Sequence, residues 1–440
     1  MKKSLLAIAA MTAFAGAAQA QSSVTVYGIL DVGFVQSNYT GTSTTANAAN
    51  INNTTNVGNA TQKQTAAGFG QSAESTSRIG FKGAEDLGGG LSALFTVETA
   101  VSPNASASAF AFNRQTFVGV KKSGLGTATI GTQYTPMFDV QSTTDAAGNN
   151  NLVGNVVYSG SQNSSTGTYN VGSGPFTGQG SGANVNVDGG AYVTRASNAL
   201  KLQSDRFAGF AGQVFYAQAN TTSTATGTPF AGGTSTASSG TNNSTMWGLN
   251  ADYMWKKLQV VAAYQAVKSY DPASITTVVL TPGSQTVTAA NGTAGNFGLN
   301  AVDTGAYAAA TYDFGVLKAF YQYSNRKVSA VTDSSYFTKR SANQIGVRSQ
   351  LTPVISAYAT YGLTNSAYWG QGLPSANGRG YQIGVDYYLS KRTNLYVAGG
   401  AVNQSSNGYN VTGASVATSA ANGGVGTSAS NYAVGVRHTF

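Results

Sequence analysis

From Asn431 to the end of the chain, large or branched side chains fall on every second residue. Tyr432, Val434, Val436, His438 and Phe440 alternate with the small or polar Ala433, Gly435, Arg437 and Thr439. A two-residue period marks a β-strand that shows different faces to different media. The same alternation runs through Val24, Val26, Gly28, Leu30, Val32 and Phe34, with Asp31 on the opposite face. It recurs at Trp247, Leu249, Ala251 and Tyr253, where Asp252 falls between, and at Tyr381, Ile383, Val385, Tyr387 and Leu389, where Asp386 does. In each case the charge lies on the face without the greasy side chains.

These strands pair into hairpins at short turns. Asp86–Gly90, Lys121–Gly126, Asp205–Ala211, Trp255–Lys257, Asp313–Gly315, Gln350–Pro353 and Ser390–Arg392 each separate two alternating runs. Between hairpins lie longer Gly/Ser/Thr/Asn segments. The first, from Ser37 to about Ala73, is read as a solvated loop because its composition cannot bury a core. Counting gives about sixteen strands, with seven short turns and eight long loops in strict alternation. A soluble sandwich has no reason to put every long loop on one side, whereas an outer-membrane barrel does. An even strand number also returns both termini to the same side.

Composition sharpens that choice. Only 9% of residues are charged, against roughly 25% in soluble domains, and there are 55 Gly, 24 Tyr and no Cys. Lys2 and Lys3, the apolar run from Leu5 to Ala18 and Ala18-Gln19-Ala20 have the form of a secretory leader cleaved after Ala20. Without it, 24 − 2 = 22 basic residues face 15 acidic ones, a net charge of +7. Residues 21–440 are then one domain. Past the leader no apolar run reaches the roughly 20 residues of a transmembrane helix, and the mature chain is read as free of helix. If the outward medium is lipid, no strand edge can stay unpaired, because each bare N–H or C=O in hydrocarbon costs several kcal/mol. The pattern therefore predicts an all-β, sixteen-stranded antiparallel transmembrane barrel with short periplasmic turns and long external loops. Inward charges then imply water inside.

The inventory for catalysis is thin. There is no Cys, and the single His438 sits on the outward face of the last strand. No HExxH, no His/Cys cluster and no GxxxxGK[ST] occurs, so no metal and no cofactor is expected. The basic residues are spread one or two per hairpin without a patch, which argues against nucleic acid.

The informative segment is Thr135 to Thr194, which holds Asp139, Asp145 and Asp188 and neither Lys nor Arg. A connection of that length exceeds what joining two strands requires, and folded inward it would narrow the lumen. By strand parity Arg78, Lys82, Arg114, Arg195 and Lys201 share the polar face. Acid opposed to base across a narrow aqueous gap sorts solutes by charge.

At these residues the chain resembles the trimeric general porins of betaproteobacterial outer membranes. The resemblance is carried by Val24-Thr25-Val26-Tyr27-Gly28 with Asp31, by Ser77-Arg78-Ile79-Gly80-Phe81-Lys82-Gly83 through Glu85 to Leu91, and by Phe112-Asn113-Arg114-Gln115 with Phe117-Val118-Gly119. Tyr388-Leu389-Ser390-Lys391-Arg392-Thr393 and Gly435-Val436-Arg437-His438-Thr439-Phe440 complete it. It implies a homotrimer with the third external loop folded into each pore, and passive diffusion of ions and small hydrophilic solutes. Arg78, Arg114 and Arg195 match wall arginines of that family, and the loop acids correspond to some of Asp139, Asp145 and Asp188. Thr132 departs from the pattern, standing where the family usually has arginine. The expected partners are outer-membrane lipid and lipopolysaccharide, together with periplasmic chaperones and the barrel-assembly machinery acting through the closing strand at Phe440. The expected activity is a water-filled, weakly anion-selective channel and not an enzyme. The rivals are a substrate-specific channel and, further off, a plugged barrel serving as adhesin or enzyme.

Overall fold

The structure is a computed structural model. It describes residues 23–43, 60–104, 110–157, 176–177, 194–223, 240–270, 301–330, 337–368, 376–404 and 427–440. The expected leader and Asp188 lie outside the described residues.

Sixteen antiparallel strands close into a barrel. β1 is Ser23–Ser43, and β2 comes in two pieces, Ala60–Gln71 and Arg78–Gly88, which pair in turn with the upper and lower halves of β1. Next are β3 (Leu91–Val101), β4 (Phe110–Lys122), β5 (Gly126–Tyr134), the helix α1 (Pro136–Thr143), β6 (Arg195–Ser204), β7 (Phe210–Ser223) and β8 (Gly240–Trp255). The wall continues with β9 (Leu258–Tyr270), β10 (Ala301–Asp313), β11 (Lys318–Ala330), β12 (Phe337–Thr352), β13 (Ile355–Tyr368), β14 (Ala376–Tyr388), β15 (Thr393–Gln404) and β16 (Thr427–Thr439). A two-residue strand, Phe176–Thr177, lies against the start of β6.

Closure is made by β1 and β16, in register from Ile29↔Thr439 to Thr40↔Ser428. The Gly28 and Phe440 backbones exchange two hydrogen bonds of 3.1 Å, so the ladder runs to the last residue. Gly28 is required there, since a Cβ would stand 2.3 Å from the Phe440 ring.

The faces are inverted relative to a water-soluble protein. On β14, Tyr381, Ile383, Val385 and Tyr387 are exposed while Gln382 and Asp386 are buried. Gln322, Gln344 and Gln382 are among the most buried large side chains of the molecule. Burying polar groups is tolerable only with hydrogen-bond partners, and the contents of the lumen supply them.

Two expectations are corrected. Ser37–Ala73 is not simply a loop, because β1 continues to Ser43 and pairs with Ala60–Gln71. Polar composition does not prevent a ladder when the strand below already fixes the register and each added pair satisfies two backbone groups. β2 breaks instead at Ser72–Ser77, where Ser72 takes φ 62°. The Asp31 carboxylate accepts from the Glu74 and Ser75 N–H groups there and from the Tyr396 hydroxyl. Nor is the chain free of helix. α1 has Thr135 as its N-cap, with Oγ1 accepting from Phe138 N at 3.3 Å, and proline at its first position.

Candidate functional site: the lumen and its inserted loop

The segment after β5 folds into the barrel. Thr135 N donates to Thr194 O across its neck. α1 then lies along the wall, with Met137 and Val140 packed among Val261, Ala263, Tyr307 and Ala309. Pro136 O accepts from Asn250 at 2.7 Å, and Thr144 bonds the Tyr307 hydroxyl at 2.6 Å.

Beyond α1 the chain runs along the lumen wall, and inward side chains hold its backbone. Arg348 Nε donates to Ala146 O at 2.8 Å, and Arg340 Nη2 to Val156 O at 2.6 Å. Gln382 Nε2 reaches Asn150 Oδ1, Leu152 O and Val153 O at 2.7–3.0 Å. Asn431 accepts from Val153 N, and Asn151 Nδ2 donates to Ser72 O at the break in β2. The wall is flattened by glycine where the loop passes. A Cβ at Gly362 would sit 2.2 Å from Val156, and one at Gly400 would sit 2.0 Å from Val153 O.

Another arc of wall, β2 to β6, carries the predicted cations. Arg114 Nε donates to Glu98 at 2.5 Å and its Nη2 to the Tyr134 hydroxyl at 2.6 Å. The Arg195 guanidinium lies over the Tyr134 ring, 5.6 Å from its centroid. Arg78 is tied to Thr76 O and Ser75 Oγ, within electrostatic reach of both other arginines. Lys82 stands over Tyr27, whose hydroxyl bonds Glu98. Arg114 owes its aim to a bulge: Glu98 pairs with Gln115 but Thr99 with Asn113, so Arg114 is the extra residue. A second irregularity beside Thr132 has Asn198 at φ 53°.

The described loop acids, Asp139 and Asp145, are tied to other groups than Arg78, Arg114 and Arg195. Asp139 pairs with Lys201 at 2.7 Å. Asp145 is buried and accepts from Asn149 N at 2.7 Å and Gln344 Nε2 at 3.3 Å. Burial pushes the Asp145 carboxyl above the usual carboxylate range, partly offset by the N–H groups of Asn149 and Ala147. The acid that meets an arginine of this arc is Glu98 of β3, which sequence reasoning missed. Also missed were Arg340, Arg348 and the buried pair Arg326–Asp303 at 2.5 Å. Parity carried through β10, β11 and β12 would have found them, since Asp303 shares a face with Tyr307, Arg326 with Gln322, and Arg340 with Gln344 and Arg348.

His438 is exposed at the outer surface, where its Nδ1 meets Thr393 Oγ1 at 2.9 Å. Tyr432 and Val434 of the closing strand also face out, and no group of three or more His, Cys, Asp or Glu suited to a metal occurs among the described residues.

A closed sixteen-stranded wall, greasy outside, with a loop laid through its lumen is a channel architecture. A family model described as Gram-negative porin matches residues 7–407. The chain belongs to that family. This porin is 37% identical to outer membrane porin protein 32 of Delftia acidovorans over 139 residues, 31% of this chain and 33% of that protein. The match spans about a third of the length of the curated relatives. In fold the porin is similar to the anion-selective porin of Comamonas acidovorans, with a TM-score of 0.62 at 21% identity over 96% of this chain and all of that one. It is similar also to OmpT of Vibrio cholerae in a trimer form, with a TM-score of 0.53 at 14% identity over 95% of this chain and 99% of that one. Its place is the outer membrane.

Proposed function

We propose that this porin is a non-enzymatic, water-filled channel for ions and small hydrophilic solutes, with a bias toward anions set where the inserted loop narrows the lumen. The observation that carries this reading is the convergence of Arg78, Arg114 and Arg195 around Tyr134 while Asp139 and Asp145 are held by other partners. Arg78, Lys82, Arg114, Arg195 and Lys201 set against Glu98 and Asp139 leave 5 − 2 = 3 positive charges on this arc. At about 8 Å in water each contributes roughly 0.5 kcal/mol, so an anion passing them is favoured by about 1.5 kcal/mol before screening. The Comamonas porin of similar fold is itself anion-selective, which supports the same sign here.

We further propose a homotrimer, the state named for the Vibrio structure. Single-channel recording in a planar bilayer tests the channel reading. Stepwise ohmic openings whose size grows with salt concentration are expected. A protein that inserts without conducting, or whose current saturates with one solute, would argue for a plugged or a substrate-specific barrel.

A further inference from the structure

The break in β2 is too large to be a bulge. Between Ile29 and Val32, β1 holds two residues, Leu30 and Asp31, whereas β2 holds six, Ser72–Ser77, between their partners Arg78 and Gln71. A bulge adds one residue, but here 6 − 2 = 4 are added, and they leave the wall. The neck of this turn is closed by Ser72 N on Asp31 O at 2.8 Å and by Ser77 N on Ser72 Oγ at 2.9 Å. The turn packs inward, with Ala73 buried in one cluster with Ala147 and Leu152 of the inserted loop and with Tyr358 and Tyr396 of the wall.

Three other parts of the channel are bonded to it. Glu74, buried, spans the closing seam of the barrel: its Oε2 accepts from Asn394 Nδ2 of β15 at 3.1 Å, and its Oε1 pairs with Arg437 Nη1 of β16 at 3.2 Å. Arg437 Nε also donates to Asn394 Oδ1 at 3.0 Å, so the two donors brace each other. From the inserted loop, Asn151 N donates to Ala73 O at 3.0 Å, and its Nδ2 to Ser72 O at 2.6 Å and Thr76 Oγ1 at 3.2 Å. At the far end of the turn, Arg78 Nε donates to Thr76 O at 2.9 Å and its Nη2 to Ser75 Oγ at 3.1 Å.

We propose that the Ser72–Ser77 turn is a second constriction element and that Glu74 is its positioning residue. By bracing the turn on β15 and β16, Glu74 fixes how the inserted loop stands in the lumen and where Arg78 is presented, and so sets the size of solute admitted. A carboxylate held by a guanidinium and an amide is a stronger anchor than a neutral contact. The inference deepens the channel reading and rests on it.

The test measures uptake of uncharged saccharides of graded size into liposomes carrying the full barrel, together with the zero-current potential in a KCl gradient. For the largest saccharide that wild type passes slowly, Glu74→Ala should raise the rate roughly tenfold, the factor that loss of one charge-assisted bond gives. Removing an acid would by charge alone strengthen anion preference. Displacing Arg78 weakens it, so the potential of Glu74→Ala should move toward the sign set by potassium. Asn151→Ala alters no strand and should also speed uptake, which keeps the test open if Glu74→Ala folds poorly. The double variant should be no faster than Glu74→Ala alone, because both cut one linkage. Glu85→Ala, exposed at the far end of β2, should change neither readout. Wild-type uptake in Glu74→Ala and Asn151→Ala, additive rates in the double variant, or a potential moving toward chloride would overturn the proposal. A wild-type channel without anion bias would instead refute the selectivity reading and leave the saccharide series to decide on the turn.

Discussion

Gly154→Ala should loosen the inserted loop, whereas Gly148→Ala, six residues earlier on the same loop, should not. Both glycines have positive φ, 116° and 69°, so alanine strains the backbone at each by about 1–3 kcal/mol. The sites differ in what the new methyl meets. At Gly148 nothing lies within 4 Å, but at Gly154 the Cβ would be 2.1 Å from Tyr381 O and 2.6 Å from Gln382 Cγ. β14 is bonded to strands on both sides and cannot retreat, so the loop must move. Gln382 then loses its bonds to Asn150, Leu152 and Val153, about 1 kcal/mol net for each. The cost at Gly154 is thus about 4–6 kcal/mol, enough to populate states with the loop away from the wall. Single-channel conductance should rise and grow noisier for Gly154→Ala and stay at the wild-type level for Gly148→Ala. Equal traces from the two variants would refute this placement of the loop.

Arg114→Gln should destabilise the barrel by about 3–5 kcal/mol in urea titrations, because it strands the buried Glu98 carboxylate, and adding Glu98→Gln should restore most of the loss. Lys201→Gln frees the Asp139 charge and should move the reversal potential in a salt gradient toward cations, an effect that shrinks in high salt. The docked loop holds the Asp145 proton more tightly than a free loop would. Docking is therefore strongest below the ordinary carboxylate range and weakens as pH rises through the raised value. Conductance should increase over that rise in wild type and stay flat in Asp145→Asn.

The barrel was legible because lipid outside and water inside impose a strict period of two, which the strands from Trp247 to Tyr387 obey residue by residue. Short turns were legible for the same reason. The β1–β2 extension was not, since its Thr, Asn and Gly residues follow a partner strand rather than any pattern of their own. α1 was missed although Thr135-Pro136 is an N-cap followed by proline, because a single short helix inside a polar segment has no periodic run to announce it. Site residues were read in part. Parity brought Arg78 and Lys201 to the lumen, but Arg114 depends on a bulge that pairing creates. The partners Glu98, Gln344 and Gln382 are fixed by register between strands far apart in sequence, and the inward glycines Gly362 and Gly400 gain meaning only once the loop is seen against them.

The proposed anion bias rests on the excess of fixed positive charge carried by the β2–β6 arc of the lumen. The measurement that meets it most directly is the zero-current potential of the wild-type channel across a bilayer separating dilute from concentrated KCl. A potential of the sign set by chloride, shrinking as both solutions are made more concentrated, is the predicted result. A potential of the sign set by potassium would contradict it.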